Sequence, residues 1–301
     1  MPDIAFCAGR FVPLEEALVP VNDRAVQFGD SVYEVVAAYS GTPFLLERHL
    51  ERLQRSLTAV AIDFDPQAAS LSDIIADGLE RCGYDEAMVY IQITRGVAPR
   101  AHVPPPGIQP NVIVTFRRLP IPPEAVRTHG IRVMTTPDIR WAKCSVKATT
   151  LLANVLAGME ARRRGYYDAI FVGDDDDVRE GTHANIVAVR GGGLHFPTRD
   201  ASILHGVTLQ FLIECAAGLG IGVTEGPLSV AELLSADEAF LCNTISEVLP
   251  IVAVNEQTLA DGLVGQITAR MMAEFRHQSR AWAARAAVRN LSRQENPRAC
   301  A

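Results

Sequence analysis

The segment IRVMTTPDIRWAKCSVKATTLLANVLAGMEARRRG, residues 131–165, indicates the fold class of this chain. Its first residues, Ile131 to Thr136, predict a strand, and from Leu151 onward apolar residues recur at helical spacing. Three arginines and Gly165 then mark the end of the helix, since cations favour the last turn and glycine favours the position after it. One lysine, Lys147, lies at the strand-to-helix junction.

The rest of the C-terminal half continues this alternation of strands and helices, which predicts an α/β (α+β) fold. We expect residues 131–277 to form the larger domain, of mixed β/α architecture. Apolar patterning predicts further strands at residues 169–172, 186–189, 238–242 and 251–254, and a helix over residues 208–218.

The N-terminal half also mixes strands with a helix. Residues 1–118 are expected to form a smaller α/β domain, and the run Leu119-Pro120-Ile121-Pro122-Pro123 makes residues 119–130 an interdomain linker. Residues 278–301 are rich in Ala and Arg and are interpreted as a frayed helix or a disordered tail. Within the smaller domain, patterning predicts strands at Ala5–Val12, Ser31–Tyr39, Ala87–Thr94 and Asn111–Phe116, and a helix that opens at Arg48.

The composition excludes several classes of partner. The net charge is -7 and the basic residues are not clustered, which argues against nucleic acid. No stretch reaches the roughly 20 apolar residues that span a bilayer. The N-terminus lacks the basic lead and apolar run of a signal peptide, so we expect a cytoplasmic protein that does not bind membranes.

The sequence predicts no metal site. The six cysteines form no CxxC pairs, and the histidines lack the spacing of metal ligands. The run Asp174 to Asp177 lacks the Gly and Glu of a calcium loop, which favours a solvated hairpin tip. Cys144 lies three residues before Lys147 and is kept as a thiol close to a candidate site.

Three features of the C-terminal half favour cofactor chemistry. A buried lysine at a helix N-terminus has a lowered pKa and becomes nucleophilic, although Lys147 is equally consistent with a solvated cation. Gly206-Val207-Thr208 opens a helix and suits an anion, although Thr208 as a simple N-cap explains the same residues. Glu180 enters an apolar strand and needs a partner, either Arg179, solvent or a protonated ring nitrogen.

A fourth feature lies in the proline-rich loop of the N-terminal half. Arg100 and His102 are two potential cations separated by one residue in a rigid loop. Such a pair suits a carboxylate ligand, although loops of this composition are often only solvated.

Taken together, these segments resemble the fold-type IV pyridoxal-phosphate (PLP) enzymes, which include D-amino-acid aminotransferases, branched-chain aminotransferases and aminodeoxychorismate lyases. The resemblance extends from about Asp23 to Gly265 with the segments in the same order. It rests on DRAVQFGDSVYE (23–34), ERHLERL (47–53), DIRW (138–141) followed by Lys147, Glu180-Gly181 with Asn185, ILHGVT (203–208), ADEAF (236–240) and TISEVLP (244–250).

The resemblance implies a role for each matched residue. Lys147 would carry the cofactor as a Schiff base and act as the base at Cα, and Glu180 would keep the pyridine nitrogen protonated. Arg48 would bind the cofactor phosphate. The remaining cofactor-binding residues implied are Val207, Thr208, Thr244 and Ile245.

Within this family the chain is most similar to the D-amino-acid aminotransferases. Thr94-Arg95-Gly96 followed by Pro99-Arg100-Ala101-His102 resembles the loop that traps the substrate carboxylate, which the partner subunit of a homodimer supplies. Tyr33 and Val35 are the other implied substrate-binding residues. Leu152 also replaces a tyrosine usual in branched-chain enzymes. The implied reaction is ping-pong transamination between D-alanine or D-glutamate and pyruvate or 2-oxoglutarate.

Other functions remain open at this point. A branched-chain L-amino-acid aminotransferase is the closest alternative, followed by an aminodeoxychorismate lyase, an (R)-amine transaminase and a non-catalytic protein that kept the fold. The chain also departs from its relatives, with Thr182, His183 and Ala184 where serines are common, Leu209 in place of an arginine, and Ala37 in place of a lysine.

Overall fold

The computed structural model describes residues 2–295 and confirms the predicted mixture of helices and strands. The helices are α1 (Arg24–Phe28), α2 (Leu46–Ala59), α3 (Leu71–Cys82), α4 (Glu124–His129), α5 (Leu152–Arg163), α6 (Val207–Gly218), α7 (Val230–Leu234) and α8 (Gln266–Glu295). The strands are β1 (Ile4–Cys7), β2 (Arg10–Pro13), β3 (Ser31–Tyr39), β4 (Thr42–Pro43), β5 (Glu86–Thr94), β6 (Asn111–Arg118), β7 (Ile131–Pro137), β8 (Asp168–Val172), β9 (Val178–Gly181), β10 (Asn185–Arg190), β11 (Gly193–Phe196), β12 (Val223–Glu225), β13 (Glu238–Asn243), β14 (Glu247–Val254) and β15 (Gln257–Thr258).

The chain divides into two compact units. Within the described residues, unit 1 comprises residues 2–120, 148–150 and 276–295, and unit 2 comprises residues 121–147 and 151–275. Each unit has its own sheet and its own buried apolar residues.

Unit 1 contains an antiparallel six-stranded sheet in the order β2-β1-β6-β5-β3-β4. Successive side chains of a strand point to opposite faces of a sheet. On β3, Val32 and Val36 are therefore buried on one face, while Tyr33 and Val35 lie half-buried on the other. The α3 helix packs tightly against β6, because a Cβ built on Gly78 would lie 2.0 Å from the Phe116 ring.

The N-terminal strand prediction needs a correction. Ala5–Val12 was expected as one strand, but β1 and β2 form a hairpin in which Cys7 pairs with Arg10. The two residues at its tip, Ala8 and Gly9, have φ of 50° and 76°. Gly9 adopts this left-handed conformation without steric cost, so the chain reverses there.

Unit 2 contains a nine-stranded mixed sheet in the order β12-β11-β10-β13-β14-β7-β8-β9, with β15 paired to β14. The β14–β7 and β7–β8 pairs are parallel, and the connection from β7 to β8 passes through α5. Parallel strands of this kind are buried and carry continuous apolar runs, which is why the sequence predicts them well. The core on one side of this sheet includes Ile170, Ile186, Leu241, Leu249 and Ile251.

Two helices of the C-terminal half, α5 and α8, refine the sequence predictions. In α5 the apolar residues that give the helical periodicity are exposed, while small Ala157 and Ala161 are buried. The α8 helix continues to Glu295, so residues 278–295 of the expected tail are helical and residues 296–301 lie outside the described residues. Within the described residues, no helix combines the length and apolar character needed to cross a bilayer.

Candidate active site

Lys147 lies in the irregular segment between β7 and α5, where its side chain is half-buried. Just before it, the Cys144 thiol donates to the Trp141 carbonyl at 3.1 Å, and the Ser145 N–H donates to the Ala201 carbonyl at 3.0 Å. Burial raises the pKa of the Cys144 thiol to about 11, which Arg140 offsets only in part. The thiol therefore stays protonated at neutral pH and acts as a packing group rather than a nucleophile.

The Glu180 carboxylate, on β9 of the same unit, is held by three donors and is only 6% exposed. The Arg140 guanidinium donates to Oε1 at 2.5 Å, and the Leu204 backbone N–H donates to Oε2 at 3.1 Å. The amide nitrogen of Asn185 lies 3.4 Å from that same Oε2. Donors on both oxygens fix the orientation of the carboxylate.

The electrostatic environment of Glu180 favours a positively charged ligand. Burial raises the pKa of Glu180 to about 7, although the Arg140 guanidinium, the Leu204 N–H and the charge of Lys147 each act to lower it. The ionised carboxylate is thus short of compensating positive charge, which a protonated pyridine nitrogen would supply. The charge of Lys147 acts on Glu180, which couples two of the predicted site residues electrostatically.

Asn185, at the start of β10, connects the Glu180 motif to the segment ILHGVT. Its side-chain N–H donates to the Leu204 carbonyl at 2.9 Å. A Cβ built on Gly206 would lie 2.0 Å from Asn185 Oδ1, so this close approach requires glycine. The Asn185 amide and the Leu204 N–H therefore join the two motifs, although Asn185 and Leu204 are 19 residues apart in sequence.

The N-terminus of α6 offers backbone N–H groups to an anion. The N-cap is Gly206, and no side chain among the described residues caps the first turn. The interpretation of Thr208 as a simple N-cap is therefore wrong, because Thr208 is the second helical residue and is buried. The first backbone N–H groups of a helix have no intrahelical acceptor, and they bind phosphates well. Val207 and Thr208 carry such groups.

Thr244 and Ile245 lie half-buried in the turn between β13 and β14. Asn243 Oδ1 accepts the N–H groups of Ile245 and Ser246 at 2.9 and 2.7 Å, which closes the turn. Glu247 follows with φ of 60° and its carboxylate accepts from Arg127 at 2.7 Å, with both side chains buried. The turn is therefore rigid, which suits a contact to a ligand.

In unit 1, Tyr33 and Val35 lie on one face of β3, and each has a partner on the neighbouring strand β5. Tyr33 pairs across with Gln92 and Val35 with Tyr90, and the Tyr33 and Tyr90 rings are 5.6 Å apart. Burial raises the pKa of Tyr90 to about 12, and the neighbouring Tyr33 adds to that rise. The Tyr90 phenol is therefore neutral at physiological pH and acts as a hydrogen-bonding group.

The segment Pro99-Arg100-Ala101-His102, here called the trap loop, also lies in unit 1, and its side chains are exposed. The Arg100 guanidinium lies 4.8 Å from the centroid of the Phe28 ring, and the His102 ring lies 5.7 Å from it. The loop therefore places two potential cations, Arg100 and His102, against one aromatic residue.

Two arginines of α2 differ in their surroundings. Arg48, the predicted phosphate ligand, is half-buried, whereas Arg52 is 5% exposed. Arg52 donates to both oxygens of the fully buried Glu34 at 2.7 and 2.8 Å, and His49 lies 2.8 Å from the same carboxylate. Burial would raise the pKa of Glu34, but Arg52 and His49 together hold it well below its ordinary value.

His183 is exposed, and it stands where serine is common in the relatives. Its Nδ1 lies 2.9 Å from the Thr182 hydroxyl and 3.7 Å from Asp168. Thr182 in turn donates to Asp168 Oδ1 at 2.5 Å. His183 therefore belongs to a hydrogen-bonded group at the end of β9, beside Glu180 in sequence.

Sequence reasoning missed three structural residues of the site, although each lies inside a quoted motif. Arg140 holds Glu180, Asn185 joins Glu180 to the α6 loop, and Arg24 binds the trap loop at Ala101 and His102. No local spacing signal could reveal these contacts, because the partners lie 19 to 78 residues away in the chain.

The residues of unit 2 fit PLP. Lys147 offers an amine for the aldehyde, Glu180 offers a buried carboxylate for the ring nitrogen, and the open α6 N-terminus offers N–H groups for the phosphate. This is a donor set that matches the three polar ends of the cofactor, and Gly206 permits the close approach of Asn185 to the start of α6.

Comparison with known proteins agrees with this geometry. The family model described as amino-transferase class IV matches residues 31–254. The chain is 33% identical over 261 residues to a D-alanine aminotransferase of Bacillus licheniformis, covering 86% of this chain and 91% of that protein. It is 34% identical over 271 residues to a D-alanine aminotransferase of Staphylococcus epidermidis, covering 90% and 95%.

Solved structures with the same fold carry other activities in their names. A branched-chain amino acid aminotransferase of Escherichia coli superimposes with a TM-score of 0.86 at 28% identity, covering 93% of this chain and 95% of that one. A 4-amino-4-deoxychorismate lyase of Pseudomonas aeruginosa superimposes with a TM-score of 0.81 at 28% identity, covering 92% and 99%.

Proposed function

The chain belongs to the amino-transferase class IV family and is a PLP-dependent aminotransferase, and on that premise we propose that it exchanges amino groups between D-amino acids and 2-oxo acids. D-Alanine and D-glutamate are the proposed donors, and pyruvate and 2-oxoglutarate the proposed acceptors. The observation that carries this proposal is the trap loop, whose Arg100 and His102 side chains are exposed around Phe28. The D-alanine aminotransferases among its relatives support the same choice.

Lys147 has two proposed tasks. Its amine binds the cofactor aldehyde covalently until a substrate amine displaces it. The freed amine then takes the proton from the substrate Cα, which makes Lys147 the general base of the reaction. PLP, when bound, supplies the electron sink that makes this proton acidic.

Glu180 is proposed to sustain that electron sink. Its carboxylate accepts a hydrogen bond from the protonated ring nitrogen, and Arg140, Leu204 and Asn185 keep it in place. The positive ring nitrogen satisfies the demand for charge that burial creates at Glu180. The role of Arg140 is to orient the carboxylate rather than to contact substrate.

The proposed ligands of the cofactor phosphate are groups that take no part in proton transfer. The N–H groups of Val207 and Thr208 at the α6 N-terminus, the turn residues Thr244 and Ile245, and Arg48 are its proposed ligands. Two negative charges on a phosphate require several donors, so loss of any one ligand should weaken binding without changing the reaction.

Substrate selection is assigned to unit 1. Arg100 and His102 would bind the α-carboxylate of the substrate with the help of Tyr33 and Val35. We propose that the enzyme is a homodimer in which the partner subunit supplies the trap loop. After the first product leaves as a 2-oxo acid, a second 2-oxo acid binds the same groups and receives the amino group, which gives ping-pong kinetics.

The second candidate function is branched-chain L-amino-acid transamination, favoured by the structural similarity to the Escherichia coli enzyme. An aminodeoxychorismate lyase is the third. A steady-state assay separates them: D-alanine with 2-oxoglutarate should yield pyruvate with parallel double-reciprocal lines. Turnover of L-leucine but not D-alanine would select the second function. Release of pyruvate from aminodeoxychorismate without any 2-oxo acid acceptor would select the third.

A further inference from the structure

The trap loop is held by a buried arginine that has no part in the function proposed above. Arg24, on α1, is only 4% exposed. Its Nη1 donates to the Ala101 carbonyl at 2.6 Å, and its Nη2 donates to the His102 carbonyl at 2.9 Å. Its Nε donates to Asp30 at 2.7 Å, so all three nitrogens of one guanidinium are engaged.

We propose that Arg24 is a positioning residue for substrate carboxylate binding, which fixes the main chain of the trap loop so that Arg100 and His102 face the carboxylate. This inference rests on the proposed role of the trap loop. Arg24 does not touch the substrate in this proposal, and it acts only through the trap loop.

The aromatic residue Phe28 connects Arg24 to the side chains of the loop. The guanidinium carbons of Arg24 and Arg100 each lie 4.8 Å from the centroid of the Phe28 ring, and the His102 ring packs against it at 5.7 Å. Arg24 therefore contacts the trap loop in two ways. It binds the main-chain carbonyls of the loop, and it packs on the same Phe28 ring that Arg100 and His102 contact.

Only arginine can make this set of contacts. The guanidinium presents its donors in a rigid planar fork, whereas an ammonium is a single point charge. A lysine at position 24 would keep the charge beside Asp30 but would lose at least one of the two carbonyl contacts. The Arg24→Lys variant therefore separates the charge of this residue from its geometry.

The chain offers a matched control in Arg95. Arg95 donates to the same Asp30 carboxylate at 2.8 Å, and its other nitrogens bind the carbonyls of Val60 and Ala61 at 2.7 and 2.6 Å. It thus has the same kinds of partner as Arg24, but its carbonyl partners belong to the end of α2 and not to the trap loop. If removal of either arginine simply disturbs the structure around Asp30, the loss of activity will appear in both variants.

The experiment compares Arg24→Lys, Arg24→Gln and Arg95→Gln as PLP-loaded enzymes. KM and kcat are measured for D-alanine, and the rate is also measured for a simple amine that lacks the carboxylate. We expect both Arg24 variants to raise KM for D-alanine by about tenfold, with the amine rate and kcat changed by less than about threefold. Arg95→Gln should leave KM for D-alanine within about twofold of the wild-type value.

A double-mutant cycle with Arg100→Ala tests the route of the effect. If Arg24 acts only through the loop, Arg24→Lys should add little to the KM increase that Arg100→Ala already causes. Additive effects of the two substitutions, or equal effects on D-alanine and the amine, would overturn the inference. An Arg95→Gln variant as impaired as Arg24→Gln would also overturn it, because it would show a general loss of structure.

The same variants distinguish failure of this inference from failure of the proposed function. If Arg100→Ala raises KM for D-alanine and Arg24→Lys does not, the trap exists and only the positioning role is wrong. If Arg100→Ala has no effect on KM, the carboxylate trap is wrong, and the positioning role falls with it.

Discussion

Arg140 and Glu180 form a buried ion pair in which Nη1 of the arginine lies 2.5 Å from Oε1 of the glutamate. Arg140 is itself fixed by Asp138, whose oxygens accept from Nε and Nη2 at 2.9 and 2.8 Å. Burial would favour neutral Arg140, but the two carboxylates outweigh it and raise its pKa. The pair therefore gives Glu180 a fixed orientation, while burial still raises the pKa of Glu180 to about 7.

The raised pKa of Glu180 predicts a pH-dependent stability of the cofactor-free protein. Its folded-state pKa of about 7 lies above the ordinary value of 4.5, so the native state binds this proton more tightly than the unfolded chain. The contribution of Glu180 to stability is therefore lost as the pH rises from about 4.5 to about 7. We expect this loss to reach at most roughly 3 kcal/mol.

Glu180→Gln removes this titration and provides the control. Urea unfolding of the two cofactor-free proteins should show wild-type stability falling relative to the variant between pH 4.5 and pH 8. A difference in unfolding free energy that stays constant over this range would contradict the raised pKa. The same variant should also slow turnover of the loaded enzyme, because a neutral amide cannot hold the ring nitrogen protonated.

Lys147→Ala should abolish both turnover and the visible absorption band of the bound cofactor. We expect activity to fall by more than about a thousandfold, because the residue is both the attachment point and the base. Lys143→Ala is the matched control, since Lys143 is an exposed lysine of the same segment and should tolerate the change. A Lys147→Ala protein that keeps the visible band would rule out the assignment of this lysine.

Arg48→Ala should weaken PLP binding by about tenfold or more, since a charge-assisted hydrogen bond contributes roughly 1.5–3 kcal/mol. The dissociation constant of PLP is measured for Arg48→Ala, Arg52→Ala and, as a control, Arg55→Ala, which is exposed on the same helix. Unchanged affinity in Arg48→Ala together with a large loss in Arg52→Ala would move the phosphate contact one turn along α2. Thermal unfolding is recorded as well, because Arg52 also supports the buried Glu34.

Arg100→Ala should raise KM for α-amino acids far more than for simple amines. A carboxylate loses a charge-assisted partner in this variant, whereas an amine without a carboxylate loses nothing. His102→Ala should show the same selectivity with a smaller effect, because an imidazole has fewer hydrogen-bond donors than a guanidinium. Equal changes for both kinds of substrate would argue against a carboxylate trap at this loop.

Much of the fold follows from local sequence patterns. The strand β7, the helix α5 and the strand β8 are visible as apolar runs, and Ser229 and Glu232 form a capping box at the start of α7. The faces that helices bury are less accessible to such patterns. In α5, Leu152 and Met159 are 71% and 64% exposed, while the buried side consists of alanines. Periodicity locates a helix, but packing decides which side is covered.

The candidate site is predictable in its residue types but not in its internal contacts. Lys147, Glu180 and Gly206 belong to motifs that a sequence displays. The side chains that orient them do so over long separations, as Arg140 does with Glu180 across 40 residues and Arg24 with His102 across 78. Such pairs depend on sheet register and loop geometry, which no local spacing encodes.

The most direct test of the account is the visible spectrum of the PLP-loaded protein after separate addition of D-alanine and L-leucine, with no 2-oxo acid present. We predict that D-alanine removes the band of the lysine-bound cofactor and releases pyruvate in a single half-turnover, while L-leucine leaves the band unchanged. Loss of the band with L-leucine and not with D-alanine would contradict the proposed D-specificity. It would keep the assignments of Lys147 and PLP and place the enzyme with the branched-chain aminotransferases.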